Sequence, residues 1–212
     1  MLRAGIFILT LFFCSSCQAQ SDSIITPDRH FNLKLSYNSS LIYPGISTGI
    51  EFPFRQVNVQ KLKKQTIKKS FTKSRFISAN LSWYHHPDFH DNLYLTAEWV
   101  MRRTNNKGFI SEFSFGPGFS RTFLGGTTYR VDDNGDVSVI KLAGYNYALI
   151  TIGGGFGYDF SVSMKKQLPF STFAKMNLIS MFPYNSTVYF RPVMELGIRC
   201  TPGEIIKKLR KE

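Results

Sequence analysis

The chain has 212 residues, with 26 Lys and Arg against 14 Asp and Glu for a formal charge of +12, and 43% of its side chains are apolar. Three cysteines in this length exclude a disulfide framework, and no stretch beyond the N-terminus approaches the roughly 18 consecutive apolar residues of a membrane helix. The positive charge comes without a recognition motif in a chain that reads as exported, so nucleic acid is not an expected partner.

Residues 1–19 have the form of a signal peptide: Arg3 supplies the charge, Ile6 to Phe13 an apolar core too short to span, and Cys17-Gln18-Ala19 a small-x-small cleavage site. Lipidation at Cys17 is the alternative processing route, but Cys14 stands where a lipobox usually carries Leu. Either way Cys200 is the only cysteine left with a free thiol, and no redox pair can form within the chain. No linker divides the rest, which predicts an N-terminal extension over 20–30, one barrel over 31–200 and a basic tail over 201–212.

From Phe31 to Arg199, runs of about ten residues alternate bulky apolar with small or charged side chains. In Ile77-Ser78-Ala79-Asn80-Leu81-Ser82-Trp83 the apolar residues share one face of an extended strand, and a helix would scatter them. Alternation, with Gly, Pro, Asn and Asp clusters as turns, places eight strands centred near Leu35, Ile50, Leu81, Ala97, Phe115, Ile152, Met176 and Met194. The expected fold is all-β: an eight-stranded antiparallel up-and-down transmembrane β-barrel. Without a long apolar helix, strands closed into a ring are the one way such a chain can span a bilayer.

Between the second and third strands, Arg55 to Arg75 carries eight basic residues and no acid. Either the two strands continue past the membrane there, or the segment is a docking loop. The turn His85-His86-Pro87-Asp88-Phe89-His90-Asp91 gathers imidazoles and carboxylates of the kind that bind zinc or copper. The spacing matches no metal signature, and Pro87 with Asp88 already accounts for a tight turn, so His85, His86, Asp88 and His90 are read as turn residues first and metal ligands second. Gly116-Pro117-Gly118 predicts a bulge or bend in the fifth strand. Asp132-Asp133-Asn134-Gly135-Asp136 has calcium-type oxygens, but Asn-Gly between Tyr129-Arg130-Val131 and Val137 to Ile140 is a hairpin signal. No cofactor site is expected: Gly153-Gly154-Gly155-Phe156-Gly157 precedes no helix and reads as close strand packing. The Asn38 and Asn185 sequons read as turn residues.

Alternation alone fits a soluble lipocalin-type barrel with its apolar face inward equally well. The polar face here is dominated by Ser36, Ser47, Gly49, Ser78, Ser82, Ser114 and Gly153, small enough for a cramped interior, which points the apolar face outward. The inward face then carries a charge network of Lys34, Glu51, Glu98, Arg102, Glu112, Asp159, Lys175, Arg191, Glu195 and Arg199, and such a lumen is too narrow to pass solutes. Both termini and the connections after the second, fourth and sixth strands share one end. That end gathers Lys61, Lys63, Lys64, Lys68, Lys69, Lys73, Lys207, Lys208 and Arg210 into a basic periplasmic rim, suited to anionic lipid headgroups or cell-wall carboxylates.

Tyr43-Pro44-Gly45, Gly49-Ile50-Glu51-Phe52-Pro53-Phe54, Tyr84-His85-His86-Pro87, Gly118-Phe119-Ser120-Arg121-Thr122-Phe123 and Gly155-Phe156-Gly157-Tyr158-Asp159-Phe160 resemble motifs of the small outer-membrane β-barrel proteins common in Bacteroidota, porin-like barrels of the OmpA or OmpX kind. The resemblance implies a fold and an outer-membrane address, and it transfers no catalytic residues. The expected role is a non-enzymatic structural or surface-interaction barrel in the outer-membrane bilayer. A lipid A- or other lipid-modifying enzyme with an unfamiliar site, and a soluble periplasmic lipocalin-like binder of an apolar ligand, are the alternatives. The His-x-Ser-Asn pattern of lipid A deacylases is absent.

Overall fold

The computed structural model describes residues 20–25, 30–40, 43–63, 66–87, 89–163, 168–184 and 187–203. Its strands are β1 (Gln20–Ile25), β2 (Asn32–Ser40), β3 (Tyr43–Lys63), β4 (Thr66–His86), β5 (His90–Asn105), β6 (Phe109–Leu124), β7 (Thr128–Val131), β8 (Val137–Ile140), β9 (Asn146–Asp159), β10 (Phe170–Tyr184) and β11 (Thr187–Cys200). Residues 1–19 and 204–212, which the sequence assigns to a signal peptide and most of a basic tail, lie outside the described residues, as do Lys64 and Asp88.

Eight strands form a ring. β2, β3, β4, β5, β6, β9, β10 and β11 pair in that order, each antiparallel to the next, and β11 pairs back onto β2 from Met194↔Ser39 to Cys200↔Leu33. Every one of the eight centres read from alternation falls inside one of these strands. The ring has no free edge along its body, which removes the row of unpaired amides and carbonyls that an open sheet presents.

The faces sort as the alternation requires. Leu33, Leu35 and Tyr37 of β2, Ile77, Leu81 and Trp83 of β4, Phe113, Phe115 and Phe119 of β6, and Met194, Leu196 and Ile198 of β11 are all exposed. Lys34, Ser36 and Asn38, between the first three, are buried. Large apolar side chains thus line the outside and charged ones the inside, the reverse of a soluble barrel. Asn38, a neutral amide, is among the inward residues: it stands within β2 facing the lumen, not in a turn.

Two strands outrun the ring. β3 and β4 are each 21 residues long, about twice the 9–11 residues of a tilted membrane strand. Past a register shift between Pro53 and Arg55, their pairing continues down to Lys63↔Thr66, and β1 adds a third strand from Ile25↔Gln56 to Gln20↔Lys61. The basic segment is therefore a β-ribbon continuous with the wall, in place of a loop. Lys61, Lys63, Lys68 and Lys69 lie along its backbone, and Lys73 is exposed near its base.

The expected bulge at Gly116-Pro117-Gly118 is absent, because β6 keeps one register with β5 on either side of it, Thr96↔Gly118 and Trp99↔Phe115. Only the Ala97 and Glu98 pairings drop out of that ladder, where Pro117 has no amide hydrogen to give. The carbonyl of Ala97 presses onto the Gly116 α-carbon so closely that a β-carbon would overlap it. Gly116→Ala should accordingly lower stability by about 1–3 kcal/mol through overpacking, read as a lower urea midpoint for the folded band; an unchanged midpoint would show that the strands can part at no cost.

Between β6 and β9, β7 and β8 form a free-standing hairpin from Thr128↔Ile140 to Val131↔Val137. Asp132 N–H donates to the Asp136 carbonyl at 3.0 Å, and Gly135, at φ 83°, takes the left-handed conformation that the turn needs. The acidic run is a hairpin turn at the tip of the longest connection.

Candidate functional site

The lumen is built in layers, and each layer follows from strand register. Nearest the end that carries both termini of the ring, Arg102 on β5 and Arg199 on β11 meet Glu51 on β3 and Glu112 on β6. Arg102 donates through Nη2 to both oxygens of Glu51 (2.8 and 2.9 Å) and through Nε to Glu112 (3.1 Å). Arg199 donates through Nε to Glu51 (3.0 Å) and through Nη2 to Glu112 (2.6 Å). Two guanidiniums and two carboxylates thus close a four-membered ring of charge-assisted bonds. Phe76 lies under Arg102 at 4.4 Å and Phe173 under Arg199 at 3.9 Å, so the flat faces of both cations are covered as well.

In the middle layer Lys175 reaches Glu98 at 2.7 Å and Lys34 reaches Glu195 at 3.1 Å. Neutral donors complete the acceptors: Ser36 Oγ (2.6 Å) and Asn177 Nδ2 (3.1 Å) give to Glu195, and Asn80 Nδ2 and Thr96 Oγ1 (both 3.2 Å) give to Glu98. Gly153 and Gly155 make the room, since a β-carbon at the first would strike Asn177 and at the second the backbone beside Lys175. A void of about 20 Å³ remains at this level, space for roughly one water. Side chains fill the lumen at this level.

The layer above is apolar, which sequence reading missed. Tyr84, Tyr94, Leu149, Ile179, Met181 and Val193 form a buried cluster inside the ring. The inner face reads in sequence as small and charged, yet the same alternation places Ile179 and Met181 in line with Lys175 and Asn177, and Val193 between Arg191 and Glu195. Parity from the charged residues would have found them.

Of the ten residues expected in the lumen, nine are buried. Asp159 is half-buried at the mouth beside the chain termini, where its Oδ1 accepts from the Ser161 amide (2.9 Å) and hydroxyl (2.6 Å) after β9 ends. A turn, not a lumen cation, uses it. Arg191 is buried but stands apart from the ion pairs. Its guanidinium lies 3.8 Å from the Tyr84 ring, above the apolar cluster.

At the opposite mouth a cavity of about 380 Å³ is lined by Tyr43, Tyr84, His86, His90, Asn92, Thr122, Leu124, Tyr145, Tyr147, Met181, Tyr189 and Arg191. The histidine turn contributes two of its three imidazoles. His86 stacks on Tyr43 at 4.1 Å and His90 lies 3.4 Å from the Tyr84 hydroxyl, with 5.0 Å between the two imidazole centroids. His85 is exposed, and its Nδ1 pairs with Asp91 at 2.7 Å. The three do not converge, and among the described residues no group of three or more metal-ligating side chains stands together.

These features define an eight-stranded antiparallel barrel with an apolar outer wall, a lumen of buried ion pairs and a cavity at the mouth away from the chain termini. Neither a protein-family model nor a curated protein sequence matches the chain. Among solved structures it is similar to the crystal structure of Neisserial surface protein A, at 12% identity over 87% of this chain and 99% of that one, with a TM-score of 0.42.

Proposed function

We propose that this chain is a non-enzymatic outer-membrane β-barrel, with a non-conducting lumen, a surface of hairpins and a cavity facing outward, and a basic ribbon facing the periplasm. The observation that carries the reading is the inversion of the barrel. A ring of exposed Leu, Ile, Phe, Trp and Met side chains encloses buried ion pairs, and an exposed apolar surface that encircles a whole domain is stable against lipid and not against water. Outer-membrane barrels keep their termini and short turns in the periplasm, which puts the β7–β8 hairpin and the 380 Å³ cavity outside. On that orientation the β1–β3–β4 ribbon is periplasmic, where its excess of positive charge suits anionic lipid headgroups or the cell wall. The filled lumen favours a structural or surface-interaction role over transport.

The test is heat-modifiable gel mobility in separated envelope fractions. An unboiled sample from the outer-membrane fraction should migrate faster than a boiled one and should need detergent for extraction. Recovery from the soluble periplasm without detergent would overturn the reading.

A further inference from the structure

The lumen holds four buried glutamates, Glu51, Glu98, Glu112 and Glu195, against five buried cations, Lys34, Arg102, Lys175, Arg191 and Arg199. Each glutamate is in an ion pair, and among the described residues Arg191 is the buried cation without one. Val193, Ile179, Leu149 and Tyr94 belong to the buried apolar cluster, and Val193 stands between Arg191 and Glu195 on the inward face of β11. It is 3% exposed, and its Nε and Nη1 have no hydrogen-bond partner. A buried guanidinium in that state has lost hydration that no ion pair in the lumen replaces. Tyr84 at 3.8 Å and Tyr94 at 5.5 Å offset part of that by covering its faces, but an aromatic face accepts none of the in-plane N–H donors.

The Arg191 side chain is part of the lining of the outward cavity, with both of these donors buried behind its surface. A guanidinium offers an oxyanion two forks, Nε with Nη2 and Nη1 with Nη2, and each fork here contains one unpartnered nitrogen. Around it the cavity supplies tyrosine rings, Met181 and Leu124 as apolar surface, and Asn92 and Thr122 as short polar groups. A volume of about 380 Å³ suits a ligand of one ring. One surplus cation matches one negative charge, which favours a carboxylate over a phosphate dianion. We propose that the outward cavity is a binding site for a small aromatic or cyclic monocarboxylate, anchored on the Arg191 guanidinium. The outward exposure of the site rests on the membrane reading given above, whereas its chemistry does not.

The experiment is a calorimetric titration of the folded full-length barrel in detergent, with benzoate, its neutral isostere benzamide, and inorganic phosphate, on samples whose unboiled gel mobility is recorded alongside. Benzoate should bind saturably at one site, and benzamide and phosphate roughly tenfold more weakly or worse. Arg191→Met should lose benzoate by the same factor, and Arg191→Lys should retain part of it. The native chain alone decides the matter if Arg191→Met does not fold: no saturable benzoate binding, or equal binding of benzoate and benzamide, overturns the proposal, and tighter binding of phosphate replaces the carboxylate with an inorganic anion. A sample that stays soluble without detergent and still prefers benzoate would sink the membrane reading and leave the site.

Discussion

Replacing Glu51 by Gln should be among the most damaging single changes in the chain. Glu51 is 1% exposed and accepts from Arg102 and Arg199 together, with Asn32 Nδ2 adding a further bond at 3.3 Å. The amide is nearly the same shape, so packing survives, but two buried guanidiniums are left to share Glu112, and one of the donor positions on the new side chain faces a cation. Removing one partner of a buried ion pair typically costs about 3–5 kcal/mol, chiefly because the other charge stays buried without compensation. The urea midpoint of the heat-modifiable band should fall accordingly. The double variant Glu51→Gln with Arg102→Met restores the charge balance and should recover part of the loss; a single variant as stable as the native chain would mean that the four-membered ring of charges contributes nothing.

The network shows both the reach and the limit of sequence reading. A period of two assigns a face to each residue once one is known, so the inward placement of Lys34, Glu51, Glu98, Arg102, Glu112, Lys175, Glu195 and Arg199 was legible from alternation. Which acid meets which base was not. That depends on the stagger of strands around the ring, where Arg102 finds Glu51 across 51 residues of chain and Arg199 finds it across 148. Asp159 has the right parity and the wrong height: it sits at the last residue of β9, where the backbone leaves the sheet and the free amide of Ser161 claims its oxygen. The apolar cluster was hidden for a different reason. Small and charged residues dominate the inward face in sequence, whereas a lumen packed with ionic pairs at one level closes with Leu149, Ile179 and Val193 at the next. The Gly116-Pro117-Gly118 triplet reads as an interruption, yet β6 shows no register shift there, because the neighbours of Pro117 hold the strand in line through unbroken pairing with β9, Gly116↔Thr151 and Gly118↔Leu149.

The outer wall gives the second large expected effect, and it separates lipid from water as the surrounding medium. Leu95 is 54% exposed, one outward position from the centre of the run Leu93, Leu95, Ala97, Trp99 and Met101, and its direct cross-strand neighbours are Leu81 on β4 and Phe119 on β6, both exposed too. In water this is a tolerant site, since an arginine on a half-exposed strand position finds solvent at once. At the middle of a bilayer it does not, and Arg on the lipid face of a barrel costs about 2–4 kcal/mol near the midplane. Leu95→Arg should therefore refold poorly into lipid vesicles and unfold at a lower urea concentration there. The adjacent Thr96→Ser faces the lumen, keeps the hydroxyl that gives to Glu98 at 3.2 Å, and removes one methyl group, so it should cost about 1 kcal/mol or less in the same assay. The contrast between neighbours carries the inference, because any defect of β5 as a strand would touch both. Equal, small losses would place water outside the barrel; a large loss at Leu95 with a small one at Thr96 places lipid there and fixes the position of the apolar belt on the strand.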